Sequence, residues 1–479
     1  MKILYYNWDQ FDNPKHFGGG VTVYLNNLIT YLINNSDNEI YFLSGGFKYN
    51  PFKNYTYLKE TENIFNDKCK SYEIINSPIT APQYTNFYNI EKYLNDTKTV
   101  KIFDRFIQEH GPFDVIHINN FEGISINILN LKEKYQNTKF IFSVHNYQSI
   151  CPLVQYFQNH NKCICRDYNN GNECLNCLNV KIRNKTYLHG VREYIKEIIP
   201  WIEKNAITKL LFKAFTSILS KPFQKQYITT KNNYQNGKIY KKYREQNIKL
   251  LNKYSDAILA VSDRVREIMI ANGIKPEIIK TSYIGTKIAE NALNKSRTDI
   301  TNPFTIAFLG YARTDKGFWF LINCLKNLPE DITKNIKVVL AAKGYKNAKE
   351  DLKHFHSYEF YNGYTHHNLE KILQNVNLGI VPVLWEDNLP QVAIEMVANG
   401  VPILCSSFGG ASELCSSDIF KFIGADKRDF SNKLLNLVQN PNLLNEYWKE
   451  HTGLTTMKKH TEELYDIYNV EGIYAKEHN

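Results

Sequence analysis

Short apolar runs alternating with stretches of helical periodicity constrain this chain more than any other feature. Residues 2–8, Ile40-Tyr41-Phe42-Leu43, Val115-Ile116-His117-Ile118, Phe140-Ile141-Phe142-Ser143-Val144 and Ala257-Ile258-Leu259-Ala260-Val261-Ser262 have strand length and character. A second series follows in Phe304-Thr305-Ile306-Ala307-Phe308-Leu309-Gly310, Val338-Val339-Leu340, Leu378-Gly379-Ile380-Val381 and Ile403-Leu404. Helical patterns lie between several of these runs, as around residues 98–109. Strands separated by helices predict a parallel, doubly wound sheet, an α/β architecture. A chain of 479 residues has room for two or three such domains, and its 43% hydrophobic content suffices for their cores.

Ligands of doubly wound sheets bind outside the carboxyl ends of the strands, so those ends hold the candidate functional residues. After the first strand comes a loop ending in Gly18-Gly19-Gly20, then a helical pattern through Leu25, Leu28, Ile29 and Leu32. Strand, glycine loop and helix let backbone N–H groups approach a phosphate, so Gly19 and Gly20 are candidates for phosphate binding. His117, Asn119 and Asn120 occupy the next strand end, and His145 and Asn146 another.

In the second series, Tyr311-Ala312-Arg313-Thr314-Asp315-Lys316-Gly317 follows a strand. Arg313 and Lys316 there can neutralise a departing diphosphate. The stretch from Trp385 to Glu395 is an acidic loop entering a helix. Asn388 is placed as its N-cap with Gln391 three residues on, as in a capping box, and Pro390 in the first turn. Gly400 and Pro402 mark its end. The helix N-terminus, near Asn388 and Leu389, suits a phosphate. Glu395, about 10 Å further along the axis, suits sugar hydroxyls.

Nine cysteines without a visible secretory signal argue for reduced thiols or a metal, and for a cytoplasmic location. Five of them cluster: Cys151, Cys163, Cys165, Cys174 and Cys177. Closely spaced pairs can chelate one metal, and two pairs give tetrahedral S₄ ligation. The expectation is a structural zinc held by Cys163, Cys174 and Cys177 with Cys151 or Cys165 as fourth ligand; unligated thiols are the alternative. No apolar run reaches the 18 or so residues of a membrane span.

Formal charge is +10 and pI about 8.8, which favours an anionic partner. Residues 178–253 concentrate this charge, with 17 Lys and Arg against 4 Glu and no Asp. Within them Ile207, Leu210, Leu211, Ala214, Phe215, Ile218 and Leu219 recur at helical spacing, flanked by Lys209 and Lys213, and Trp201, Phe212, Phe223 and Tyr227 add aromatics. Such a helix can lie in the interface of an anionic membrane, or pack on the domain with a solvated basic face; both readings stay open. A nucleic-acid partner would fit the charge, but no recognisable nucleic-acid motif accompanies it. Residues 289–302 are polar and read as a linker, and the stretch from Tyr447 to about Tyr468 reads as helical.

The acidic stretch resembles the signature of glycosyltransferase family 4, the retaining, group 1 type that builds bacterial surface polysaccharide. Two acids separated by seven residues fall on Asp387 and Glu395, and Gly409-Gly410-Ala411-Ser412-Glu413 resembles the family's Gly-Gly-x-x-Glu turn. The glycine loop, the run His145-Asn146-Tyr147-Gln148-Ser149-Ile150-Cys151-Pro152, and Lys316-Gly317 resemble further family motifs, in family order. Some family members carry similar cysteines after the histidine motif. Departures are Asn146, where Asp is usual, Tyr311, where Arg is usual, and Asp387, where Glu is usual.

The resemblance implies the GT-B fold: two Rossmann-like domains facing across a cleft, here residues 1–288 and 303–450, with 451–479 crossing back to the first. The cysteine-rich loop 151–177 and the basic helical insertion 178–253 then belong to the first, acceptor-side domain. It also implies metal-independent transfer of a sugar from a UDP- or GDP-sugar to a glycan or lipid-linked oligosaccharide. His145, Asp387, Lys316 and Arg313 would be catalytic; Gly19, Gly20, Asn388, Leu389 and Glu395 would bind the donor; His117, Asn119 and Asn120 would lie on the acceptor side. Asp387 would contact the donor sugar and Glu395 the ribose. Three other readings are a sugar-nucleotide or polysaccharide binder with a decayed site, a phosphorylase or epimerase on the same fold, and a zinc-dependent nucleic-acid binder. The last leaves the acidic helix and the Lys316-Gly317 loop unexplained.

Overall fold

A computed structural model describes residues 1–14, 17–65, 68–82, 90–178, 186–203, 205–220, 237–290 and 299–468. They form two compact units. The first comprises Met1–Ala260, Ile268–Thr281 and the segment from Thr461; the second comprises Val261–Glu267 and Ser282–His460. Of the expected linker, residues 291–298 lie outside the described residues, as do Phe223 and Tyr227 of the basic segment.

The first unit is built on an eight-stranded sheet. Its strands are β1 (Lys2–Tyr6), β2 (Glu39–Gly45), β3 (Tyr57–Thr61), β4 (Cys69–Ile75), β5 (Val115–Ile118), β6 (Lys139–Val144), then, after the short hairpin strands β7 (Phe157–Gln158) and β8 (Cys163–Ile164), β9 (Ala257–Ala260) and β10 (Ile279–Thr281). The order is β10-β9-β6-β5-β1-β2-β4-β3, with every pairing parallel except β3 against β4. Ile3, Leu4, Tyr5 and Tyr6 are fully buried, as the apolar run requires of a central strand covered on both faces. The order reverses at β1, so its carboxyl end is the switch point, and the glycine loop starts there. The helix Gly20–Asn35 follows, burying Tyr24, Leu25, Leu28, Ile29 and Leu32 at helical spacing.

The second unit carries six parallel strands: β11 (Phe304–Tyr311), β12 (Ile336–Lys343), β13 (Ser357–Tyr361), β14 (Leu378–Val381), β15 (Ile403–Ser406) and β16 (Lys421–Phe422). Their order is β13-β12-β11-β14-β15-β16, the Rossmann arrangement, with the switch point between β11 and β14. The Arg313–Gly317 loop leaves β11, and the acidic stretch follows β14. Topology alone therefore brings these two segments together.

The basic segment forms helices Thr186–Ile198, Ala206–Leu219 and Lys238–Tyr254. In Ala206–Leu219 the apolar stripe points to solvent: Ile207, Leu210, Leu211 and Ile218 are 74%, 70%, 65% and 62% exposed, while Phe212 and Thr216 face inward. The closing helix Met457–Tyr468 ends against the first sheet, where the Tyr468 hydroxyl meets His117 Nδ1 at 2.6 Å and the Tyr5 hydroxyl at 3.1 Å.

Candidate functional site

The second unit assembles its site from two loops and one helix. The helix runs Gln391–Ala398 and begins later than the sequence suggests. Pro390, extended at φ −69°, takes the N-cap position, and no side-chain cap forms. The expected Asn388 capping box is thus absent, because proline ends the extended entry before the first helical residue. The other end is as the sequence implies. Gly400 takes φ 75°, its N–H donates to Val397 O at 2.9 Å, and the Val401 N–H donates to Met396 O at 3.0 Å, a Schellman closure.

Asp387 and Lys316 meet: Lys316 Nζ lies 2.6 Å from Asp387 Oδ2 and 5.4 Å from the centre of the Trp385 ring. Asp387 is 7% exposed, so the pair is partly shielded from water and correspondingly stronger than a surface bridge. Gly317 is required where it stands. Its φ is +70°, and a Cβ there would come within 1.6 Å of Pro382 O. Arg313 is not turned to this pair; it forms a two-pronged bond with its neighbour Asp315, at 2.9 and 2.8 Å. Arg313 and Asp315 are only two residues apart, and the local carboxylate satisfies the guanidinium first. At Tyr311 another cation stands nearby: Lys343 Nζ, from the end of β12, lies 5.7 Å from the ring centre.

Glu395 is 6% exposed and accepts a hydrogen bond from the Tyr364 hydroxyl at 2.5 Å. Burial pushes its carboxyl up to about 7, an effect that the Tyr364 bond offsets in part. Tyr364 was not visible as a site residue in the sequence, because it lies in a loop 31 positions upstream with no motif around it.

The Gly409-Gly410 turn packs on the acidic stretch. Gly410 N–H donates to Asp387 O at 2.9 Å, Gly409 N–H donates to Glu386 Oε2 at 2.9 Å, and a Cβ on Gly409 would lie 2.1 Å from Asp387 O. Arg264 holds Glu386 from the other side through Nε at 3.0 Å and Nη2 at 2.6 Å. Glu413 accepts the N–H of Asp263 at 3.0 Å and of Arg264 at 2.7 Å, and the Tyr283 hydroxyl at 2.7 Å. It thereby caps the helix Asp263–Ala271.

In the first unit, Asp9 orders the glycine loop. Its Oδ2 accepts from Gly18 N–H at 2.8 Å and from the Thr22 hydroxyl at 3.0 Å. Gly19, at φ 62°, is the N-cap residue of the helix that starts at Gly20. His145, half-buried, has Nε2 3.1 Å from Asn119 Oδ1 and its ring 5.0 Å from that of Tyr24. Asn120 donates to Asn7 Oδ1. His117 is a correction. It lies inside β5 with no exposure, Nδ1 against Tyr468 and Nε2 2.7 Å from Ser143 Oγ, so both ring nitrogens are committed to the core. Asn146 donates to Glu122 Oε1 at 2.9 Å, and Glu122 is 4% exposed. An aspartate at 146 would face that carboxylate with like charge, which accounts for the amide.

The cysteines also sort themselves. Cys151, Cys165, Cys174 and Cys177 line one small cavity with Glu173 and Arg244. Cys163 is exposed, its thiol directed at Gln158 Oε1 at 3.6 Å, and does not line it. Among the described residues, no three His, Cys, Asp or Glu side chains stand ready to hold a metal ion as they lie.

Comparison with solved structures identifies the class of fold. Sucrose-phosphate synthase from Thermosynechococcus elongatus superposes with TM-score 0.55 at 13% identity, covering 98% of this chain and 98% of that one. A UDP-forming α,α-trehalose-phosphate synthase from Burkholderia xenovorans gives 0.56 at 12% identity, covering 98% and 99%. Anabaena Alr3699/HepE, solved with UDP and glucose, gives 0.52 at 12% identity, covering 97% and 98%. The fold is the GT-B pairing of two Rossmann-like domains. More narrowly, residues 290–452, which hold Lys316, Asp387 and Glu395, match the family described as glycosyl transferases group 1. No curated protein matches the chain in sequence.

Proposed function

We propose that this protein is a retaining glycosyltransferase that moves a sugar from a UDP- or GDP-sugar to a glycan or lipid-linked oligosaccharide acceptor in surface-polysaccharide synthesis. The observation that carries this reading is the Lys316–Asp387 pair at 2.6 Å, set at the strand-order switch point beside the N-terminus of Gln391–Ala398. In the reaction, the bond from the anomeric carbon to the diphosphate breaks, an acceptor hydroxyl oxygen takes its place, and the hydroxyl proton passes to the departing diphosphate. The diphosphate leaves with added negative charge. Lys316 and the free N–H groups of the helix are the groups offered to that charge, and Asp387 orients the lysine. Glu395 takes the ribose hydroxyls of the donor. Arg313 is assigned a lesser part, since Asp315 holds it. Gly19, Gly20 and His145 serve the same reaction from the first unit, with Asn119 orienting the histidine.

The complexes of Anabaena HepE with UDP and UDP-glucose favour a uridine donor, and the reading needs no divalent ion for turnover. The purified protein is incubated with a panel of UDP-, GDP- and ADP-sugars, with and without EDTA, and free nucleotide is measured beside Glu395→Ala. Release from one donor, insensitive to EDTA and lost in the variant, supports the transferase. Donor binding without release, even with membrane extract as acceptor, supports the binder with a decayed site.

A membrane surface as partner rests on a separate observation, the solvent-facing row Ile207, Leu210, Leu211, Phe215 and Ile218 with Lys209 and Lys213 beside it. Among the described residues no helix is long and apolar enough to cross a membrane, so the contact would be peripheral. Flotation with anionic vesicles, lost in Leu210→Asp/Ile218→Asp and in high salt, checks it.

A further inference from the structure

Arg244 is a buried cation without a buried anion. It sits on the helix Lys238–Tyr254 with 6% exposure. Its guanidinium carbon lies 3.9 Å from the centre of the Tyr168 ring, Nη2 lies 3.9 Å from Cys165 Sγ, and Nε has no partner. Among the described residues no carboxylate forms an ion pair with it. Glu173 lines the same cavity, but its Oε2 is engaged by His160 Nε2 at 2.8 Å and Asn176 Nδ2 at 3.3 Å. A buried charge left unpaired costs several kcal/mol. What surrounds this one instead is sulfur.

We infer that Cys151, Cys165, Cys174 and Cys177 are the four ligands of a structural zinc ion, and that Arg244 balances the charge of the resulting tetrathiolate. Zinc with four thiolates is doubly negative, so a guanidinium against it gains the counter-charge it otherwise lacks. The chain presents the ligands from three places: a turn at Cys151, the residue after β8 at Cys165, and one helix face at Cys174 and Cys177, three residues apart. A further polar group is directed at the sulfurs, as around metal thiolates: Gln158 Nε2 lies 3.9 Å from Cys165 Sγ. His160 Nδ1 lies 3.5 Å from Cys177 Sγ, linking that thiol to Glu173.

The segment also needs a staple. Its regular structure between Cys151 and Asn172 is two strands of two residues and one short 3₁₀ turn. It is docked by close backbone approach, with a Cβ on Gly171 falling 2.0 Å from Gly237 O. A metal would add folding free energy to the little that the few buried side chains of the segment, Leu153, Tyr156 and Phe157, supply. Loading requires the thiols to rotate inward, since no three of them form a ready set as they stand. The composition differs from what sequence spacing suggests: Cys163 is excluded, and both Cys151 and Cys165 are included.

Full-length protein purified without added metal is analysed for zinc and iron by mass spectrometry. About one zinc per chain is expected, retained in Cys163→Ser and lost in serine variants of the other four. Because those variants can misfold, chelator-stripped wild type and Cys163→Ser are also titrated with Co²⁺. Both should develop the visible and near-ultraviolet bands of a tetrahedral cobalt–thiolate centre, and Arg244→Met should weaken uptake roughly 10–100-fold. The inference is overturned by a chain that holds no metal and takes up no cobalt, by iron in place of zinc, by loss of metal in Cys163→Ser, or by a disulfide among the four cysteines of the folded protein.

Discussion

Glu395 gives the most quantitative prediction. Its carboxyl rises from 4.5 to about 7 on folding because burial penalises the charged form, the Tyr364 bond offsetting this in part. Between those values the folded state holds the proton that the unfolded state has released. Stability therefore falls as pH rises through this window. At about 1.4 kcal/mol per pH unit, the ionised group costs about 3 kcal/mol above pH 7 and nothing below pH 4.5. Glu395→Gln keeps the acceptor for Tyr364 and removes the titration. The difference in melting temperature between variant and wild type should be small at pH 5 and grow to roughly 6–10 °C at pH 8. Tyr364→Phe, which deletes the lowering influence, should extend the wild-type decline to higher pH. Saturating nucleotide donor should flatten it, because ribose hydroxyls donating to the carboxylate favour the charged form. Wild-type and Glu395→Gln curves that run parallel from pH 5 to 8 would refute the buried, titrating carboxylate.

Three further outcomes are expected. Lys316→Ala should cut turnover by roughly 10²–10³-fold, and Lys316→Met/Asp387→Asn, which leaves no carboxylate unpaired, should be as inactive while melting near the wild type; nucleotide-release rates and calorimetry check both. Asn146→Asp should destabilise the first unit by about 1–3 kcal/mol at neutral pH, since two carboxylates would then face each other where Glu122 accepts an amide at 2.9 Å, and the loss should shrink in acid as one of them takes a proton; urea unfolding at two pH values measures it. Arg264→Met should cost about 1–3 kcal/mol, less than for a fully buried pair because the arginine is 41% exposed and Glu386 keeps the Gly409 N–H, and Arg264→Met/Glu386→Leu should recover most of it in urea unfolding.

The inner strands of both sheets were legible because they are largely apolar runs, and β1, β5 and β11 fall where those runs predict; β3, β4, β10, β13 and β16 were not, because each carries a charged residue and β10 and β16 are very short. Lys316 and Asp387 were legible because the loops that carry them flank one switch point, so chain order fixes their proximity. Side-chain commitments were not. His117 has the look of a strand-end ligand, yet both its nitrogens are spent on Tyr468 and Ser143, and nothing local announces a partner 351 positions away. Arg313 is taken by Asp315, a competition that motif spacing does not weigh. The apolar stripe of Ala206–Leu219 has the right period for a core face but turns to solvent, because Phe212 and Thr216 on its other side are the residues that pack inward. The role of Asp9 in ordering the glycine loop escaped notice because an aspartate in a loop of mixed residues, with Asp12 close by, carries no pattern.

Glu386 and Asp387 show how far adjacent residues of one type can diverge. The Asp387 N–H donates to Trp385 O at 2.8 Å, and this tight turn about Glu386 goes with the two neighbouring acids meeting different partners. Glu386 turns to Arg264 and the Gly409 N–H, and both groups belong to the framework. Asp387 turns to Lys316, and its own carbonyl is capped by the Gly410 N–H. The Gly-Gly turn is thereby tied to both acids, and glycine is needed because a Cβ at 409 would strike Asp387 O. Asp387 is one methylene shorter than the Glu of the pattern it resembles, and the lysine contact at 2.6 Å is made without that methylene. Asp387→Glu would push the carboxylate past Lys316 or displace the lysine, so the shorter acid and its lysine are matched as a pair. The acidic motif is thus a clamp of two parts: Glu386 fixes where the loop lies, and that fixed loop gives Asp387 and Lys316 their separation.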